Sequence, residues 1–233
     1  MRKPFIFLVL LFLCAHSLPA LADDSLSLPD GRQLRLEPLH LGDQYQAESA
    51  NMESIFMLNL YENDALFQQL YFTTQENRQE GPFIKAQDLN FDGYPDLDII
   101  YQLGASNSRH IFFFYDQDTG KYEPWQYSYM WLSNYTLDPE NGYLINYVHD
   151  SAVTGTKEIY RWEEKTLQPV RSAHIRHDEY DYDTVHLEIT YYGDSPAKRE
   201  TVHYRSLDLM SASDAEILSM HQEMDERLFK DLE

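Results

Sequence analysis

The chain has 233 residues, with 39 Asp and Glu against 18 Lys and Arg, a formal charge of −21, and 43% hydrophobic and 14% aromatic residues. So much aromatic surface gives the chain enough to bury to fold, which argues against disorder. The acidic surplus argues against a nucleic-acid binder, which neutralises phosphates with Lys and Arg, and one Cys, Cys14, cannot build a disulfide framework. A single long apolar run rules out a multi-span membrane protein, and the length suits one domain or two small ones.

That apolar run comes first. Arg2 and Lys3 precede an apolar stretch from Phe5 to Ala15, and Ala20-Leu21-Ala22 closes the segment. Eleven apolar residues are too few to cross a bilayer, which takes about 20. The pattern reads as a secretory signal peptide over residues 1–22, cut before Asp23. An N-terminal anchor is the alternative, and Cys14 lacks the small preceding residue of a lipoprotein signal, since Leu13 stands there. Cleavage leaves 211 residues with 16 basic and 39 acidic side chains, a charge of −23, and no cysteine. The periplasm is the expected location, with secretion second, and the mature form is expected to have no stable membrane span.

Residues 23–210 read as one all-β domain. Ile55 to Leu60 and Leu66 to Phe72 flank Glu62-Asn63-Asp64 and predict a hairpin. Leu97 to Leu103, Ile111 to Tyr115, Tyr127 to Leu132 and Tyr143 to Val148 are rich in the β-branched and aromatic residues of half-buried strands. Asp116 to Gly120 and Asp138 to Gly142 carry turn chemistry. Val185, Leu187, Ile189 and Tyr191 alternate with polar neighbours, the period of a strand with one wet face. The regular spacing predicts antiparallel sheets, as a β-sandwich or, second, a small β-propeller. Residues 211–233 differ: Ser213-Asp-Ala-Glu216 is a capping box. Ile217, Met220, Met224, Leu228 and Leu232 then share one face of an amphipathic helix, packed on a sheet or used for dimerisation. A monomer and a homodimer are both open.

The one motif with specific chemistry spans residues 88–98. Asp88, Asn90, Asp92 and Asp96 occupy positions 1, 3, 5 and 9 of a D-x-[DN]-x-[DN]-G-x-x-D loop, with Gly93 at the sharp turn and the Tyr94 carbonyl at position 7. Oxygen donors at this spacing suit a hard cation such as Ca²⁺. Ile99 stands where an EF-hand has its bidentate Glu, and a β-run follows, so the loop predicts a structural calcium site between strands. An acidic Asx-turn is the alternative. Asp98 is expected to alternate outward from the loop and is a second-choice ligand.

Other signals stay short of a site. His174 and His177 sit in a polar acidic stretch. No H-E-x-x-H, G-x-S-x-G or phosphate-loop pattern occurs, so no enzyme is expected and no catalytic residue is assigned. Tyr122, Trp125, Tyr127, Tyr129, Trp131 and Tyr135 form an aromatic cluster, either core or a stacking surface for sugars.

The order of features resembles a bacterial envelope family that contains the periplasmic inhibitor of i-type lysozyme and related calcium-binding immunity proteins. The resemblance covers roughly residues 50–172. It rests on Asp88 to Leu97, the Ile111 to Tyr115 strand, the Asp116-Gln-Asp-Thr-Gly120 turn, and Glu158-Ile-Tyr-Arg-Trp162 with Leu167. It implies a periplasmic calcium-binding inhibitor or immunity protein whose partner is a lysozyme-like cell-wall hydrolase. The alternative is a calcium-stabilised binding module for a glycan or protein. Inhibitors of this kind often carry a Ser-Gly-x-x-Tyr loop. Here the matching stretch is Ser151-Ala-Val-Thr-Gly155-Thr-Lys-Glu158, so Ser151, Thr154, Gly155 and Lys157 are the expected partner-binding residues.

Overall fold

The computed structural model describes residues 25–46, 51–75, 82–125, 132–193 and 199–232. The expected signal peptide (1–22), the 127–131 part of the expected strand, and with it Tyr127, Tyr129 and Trp131, lie outside these residues.

Strands β1 (Ser25–Ser27), β2 (Gln33–Gln46), β3 (Asn51–Glu62) and β4 (Ala65–Thr74) form a first antiparallel sheet in chain order. β5 (Ile84–Gln87), β6 (Asp96–Leu103), β7 (Ser108–Asp116) and β8 (Lys121–Pro124) form a second. The third has six strands: β9 (Thr136–Asp138), β10 (Tyr143–His149), β11 (Gly155–Glu163), β12 (Thr166–His177), β13 (Thr184–Tyr192) and β14 (Arg199–Asp208). The helix α1 (Asp214–Phe229) closes the described chain. The fold is all-β with one C-terminal helix, and its sheets are stacked as layers in the manner of a sandwich.

Local chemistry explains the joints. Asn63 and Asp64 both take positive φ, 50° and 61°, between the paired residues Glu62 and Ala65. That is the two-residue turn whose twist matches a hairpin, and Asn and Asp tolerate it. At the start of α1 the Ser213 side chain accepts the Glu216 amide, and the Glu216 carboxylate accepts the Ser213 amide at 2.8 Å. The capping box thus forms as its spacing predicts.

The middle sheet is covered on both faces. Leu97, Ile99, Phe113 and Tyr115 point to the first sheet and pack with Leu34, Phe56, Leu58, Leu60 and Phe72. The neighbours that alternate with them point the other way. Phe112, with Leu89 and Trp125, packs on Leu144, Tyr160 and Leu167 of the third sheet. Trp125 lies edge-on to Phe112 and Trp162, with centroids 5.8 and 5.7 Å away. Tyr122 and Trp125 are therefore core residues.

The opposite face of the third sheet holds α1. Met220, Met224 and Leu228, spaced four apart, are buried among Ile159, Ala173, Ile175, Leu187 and Ile189. The predicted apolar face thus packs on a sheet of its own chain. Arg171 of β12 fixes the far end. Its Nη1 lies 3.2, 2.8 and 2.7 Å from the carbonyl oxygens of Arg227, Leu228 and Lys230, and its guanidinium covers the Tyr191 ring at 4.7 Å. These carbonyls have no partner within the helix, and a cation there also opposes the negative end of the helix dipole. We expect Arg171→Met to lower the unfolding free energy by about 2 kcal/mol, measured by urea denaturation. A loss below about 0.5 kcal/mol would show that the cap does not hold the helix down.

Candidate functional site: the acidic loop and its supports

The 88–96 loop wraps round its own carboxylates. Asp88 accepts the amides of Asp92 and Gly93 at 3.0 and 2.9 Å. Asp92 accepts the Tyr94 amide at 2.9 Å, and Asn90 Oδ1 accepts the Asp92 amide at 3.2 Å. Gly93 turns the chain at φ 89°, where a side chain is disfavoured. Phe91 also sits in the left-handed region, at φ 62°.

Asp96 behaves differently from the other loop acids. It is fully buried at the start of β6, and its two oxygens accept the amides of Leu89 and Tyr115, both at 2.9 Å. Burial pushes its carboxyl up to about 7, against those two hydrogen bonds, and the negative charges of Asp92 and Asp88 push the same way. A cation between these groups would offset that cost. The donors are all oxygens, three carboxylates with an amide and a backbone carbonyl, which fits a hard ion. The loop acids are turned to backbone amides, however. Among the described residues no three His, Cys, Asp or Glu side chains are gathered so as to hold a metal.

The surroundings hold the loop in place. Trp162 Nε1 of β11 donates to the Leu89 carbonyl at 2.6 Å, and Tyr122 Oη donates to the Pro95 carbonyl at 3.0 Å. Tyr94 stacks on Tyr115 with centroids 5.0 Å apart. In the Asp116–Gly120 turn, Asp116 accepts the amides of Asp118 and Thr119 and pairs with Lys165 at 2.8 Å. The Lys165 and Thr119 contacts hold its carboxyl down at about 2.

Asp98 points away from the loop and is buried. The third sheet covers the face that the period-2 reading leaves wet. Its carboxylate sits 2.6 Å from His110 Nδ1 and accepts the Tyr135 hydroxyl at 2.5 Å, and Gln87 donates to Tyr135. His110 Nε2 is 2.8 Å from Ser108 Oγ. The order Ser108, His110, Asp98 has the distances of a nucleophilic triad. Its setting differs from one. Ser108 Oγ also accepts the Asn134 amide at 3.3 Å, and the Ser108 carbonyl accepts the Ser133 hydroxyl. A cavity of about 250 Å³ beside His110 is lined largely by aromatic side chains, and Ser108 does not reach it. A molecule there would meet the imidazole without the hydroxyl. The chain of polar groups reads as a seam joining β6 and β7 to the 132–135 segment. No sequence pattern announces it, because its members come from separate strands and a loop.

The expected partner-binding residues lie at and beside the 150–154 turn, where Ser151 is exposed. Ser151 Oγ accepts the amides of Val153 and Thr154 and lies 2.7 Å from Thr154 Oγ1, closing the turn on itself. Thr154 and Gly155 are buried. Lys157 is paired with Asp225 of α1 at 2.7 Å and lies over the Tyr147 and Phe229 rings. The structure gathers them at one hairpin. His174 and His177 share no ligand geometry: His174 meets Thr156 and Ser172, and His177 meets the Tyr182 carbonyl.

Among the described residues no helix is long and apolar enough to cross a membrane. No family model and no curated protein matches the chain. In fold it is similar to a solved Xanthomonas protein, described as type IV secretion system related. The TM-score is 0.50 at 12% sequence identity, over 78% of this chain and 92% of that one.

The seam makes a direct expectation. Tyr135→Phe removes a donor to a buried carboxylate, which costs about 1–3 kcal/mol, read as a lower urea midpoint. An unchanged midpoint would mean that the Tyr135–Asp98 contact contributes nothing to the joint.

Proposed function

We propose that this chain is a calcium-stabilised periplasmic protein that binds and inhibits a cationic, lysozyme-like peptidoglycan hydrolase, with no catalysis of its own. The observation that carries the reading is how the motifs of the family resemblance meet in space. The acidic loop presents its Leu89 carbonyl to Trp162 of the Tyr-x-Trp strand. Its Asp96 takes the amide of Tyr115, at the head of the Asp116–Gly120 turn, and that turn is paired with Lys165 beyond the same Trp strand. Features that are scattered along the sequence therefore form one supporting unit. A fold shared with a protein related to type IV secretion supports an envelope setting. The net charge of −21, or −23 after cleavage, supports a basic partner, since opposite charge accelerates encounter and does so less as salt rises.

In this reading Asp88, Asn90, Asp92, Asp96 and the Tyr94 carbonyl hold Ca²⁺, and the ion pins the entry of β6 against β7 and β11. Its role is structural.

Two measurements test the proposal. Calcium modules outside the cell bind with Kd of about 10⁻⁴–10⁻³ M. Ca²⁺ at about 10 mM then raises Tm by roughly 3–10 °C over the EDTA-treated protein, and Asp92→Ala removes the difference. Equal melting with and without Ca²⁺ would refute the metal site. Purified protein from residue 23 onward is expected to inhibit at least one member of a panel of peptidoglycan hydrolases stoichiometrically, and more weakly at high salt. No inhibition across the panel would refute the inhibitor reading.

A further inference from the structure

The hairpin turn between β12 and β13, residues 178–183, presents the most exposed aromatic side chains among the described residues. Tyr180 is 91% and Tyr182 74% exposed, and Met210 beside them is 78% exposed. Met210 reaches this place because the Leu209 amide donates to the Asp183 carbonyl at 2.7 Å. Large apolar side chains in water are costly, and two at one hairpin tip with a third from the turn after β14 beside them form a patch suited to docking.

The tip is held in shape by its own acids. Asp178 accepts the amides of Tyr180 and Asp181 at 2.8 and 3.0 Å, and its other oxygen lies 2.7 Å from His186 Nε2. Asp181 accepts the Thr184 hydroxyl at 2.7 Å, and the Asp178 amide donates to the Thr184 carbonyl at 2.8 Å. Tyr182 stacks on His177 with centroids 3.8 Å apart, leaving its other face open. Each side chain that fixes the turn does so without a partner, so docking here spends little on ordering the loop. Tyr is among the residues that most often dominate binding energy at interfaces, and a rigid tip that offers two of them has the form of an anchor.

The surrounding charge selects the partner. Glu179, Asp181, Asp183 and Asp208 are exposed around the three apolar side chains. The nearest cation of the strand, Arg176, is occupied by Glu188 at 2.9 and 3.0 Å. A partner with Lys and Arg round an apolar cleft fits this rim, and an acidic one is repelled. The closed 150–154 turn stands at the same end of the third sheet, because both turns join strands at the Gly155 end of β11. The contact surface therefore shifts along one rim from the residues that the sequence favours to a neighbouring loop.

We infer that Tyr180 and Tyr182, framed by Glu179, Asp181 and Asp183, form the anchor that enters the cleft of a cationic cell-wall hydrolase. The inference rests on the inhibitor reading and names the surface that it uses. The test measures binding of the protein from residue 23 onward to a panel of purified basic lysozymes of the c, g and i types, by calorimetry at low salt. The variants are Tyr180→Ala, the Tyr180→Ala/Tyr182→Ala pair, Glu179→Lys, and Tyr71→Ala as an exposed aromatic control on the first sheet. Melting temperatures confirm that each variant is folded, as exposed positions allow. The expected result is binding to at least one lysozyme. Affinity then falls about tenfold or more for Tyr180→Ala and further for the pair. Glu179→Lys slows association, and Tyr71→Ala changes nothing. Wild-type binding that the pair leaves intact overturns this inference while the inhibitor reading stands. Absence of wild-type binding to every lysozyme in the panel overturns both.

Discussion

Much that is distinctive in this molecule follows from a sheet whose central strands are covered on both faces. β5 to β8 carry apolar side chains toward the first sheet and aromatic ones toward the third. A strand in that position has no room for an unpaired charge, since a carboxylate taken out of water costs far more than a hydrophobic neighbour returns unless it is hydrogen-bonded. β6 nevertheless opens with two of them, Asp96 and Asp98, both buried. The fold answers each in its own way. Asp96 takes two backbone amides at the base of the acidic loop. Asp98 takes an imidazole and a phenol from elements on either side of the inter-sheet boundary. Of the polar groups that look most like chemistry, one set thus holds the acidic loop to its sheet and the other joins that sheet to the 132–135 segment.

That arrangement divides the molecule into two ends. The acidic loop, Trp162 and the Asp116–Lys165 pair occupy the end where β6 begins and β11 finishes. The turns at 150–154 and 178–183 occupy the other end of the third sheet, with the start of α1 close by. A cation proposed at the first end would act on the proposed partner surface only through the rigidity of the strands between them. Arg171 contributes to that rigidity, because it ties the last turn of the helix to β12 and so completes the second face of the third sheet.

Much of this was legible locally. The Asn63-Asp64 turn, the Ser213–Glu216 capping box and the Met220, Met224, Leu228 face depend on residues within about two helical turns of one another, and each appears where its spacing places it. The alternation in β13 likewise reports a strand with one apolar face. The burial of Asp98 was not legible, for a reason of the opposite kind. Period 2 tells which residues share a face of β6 but not whether a later part of the chain covers it. Leu144, Tyr160 and Leu167, which line that cover with Phe112, lie at least 46 residues beyond Asp98. The contacts of the stretch from Ser151 to Lys157 are hidden from the sequence in a similar way. The resemblance marks it as partner-binding, and only the fold shows that Ser151 and Thr154 bond to each other and that Lys157 turns to a helix some 70 residues on.

The sequence by itself determined an acidic, mostly antiparallel β protein with a C-terminal amphipathic helix and one loop of oxygen donors, because composition, strand alternation and turn chemistry act over a few residues. Tertiary structure alone decided which carboxylates are buried, which aromatics are core and which hairpin carries bare tyrosines. Trp125 is enclosed and Tyr180 is almost bare although both stand among polar neighbours in the sequence. The difference is the layer that happens to lie over each, and burial is a property of the assembled sheets rather than of any short stretch of chain.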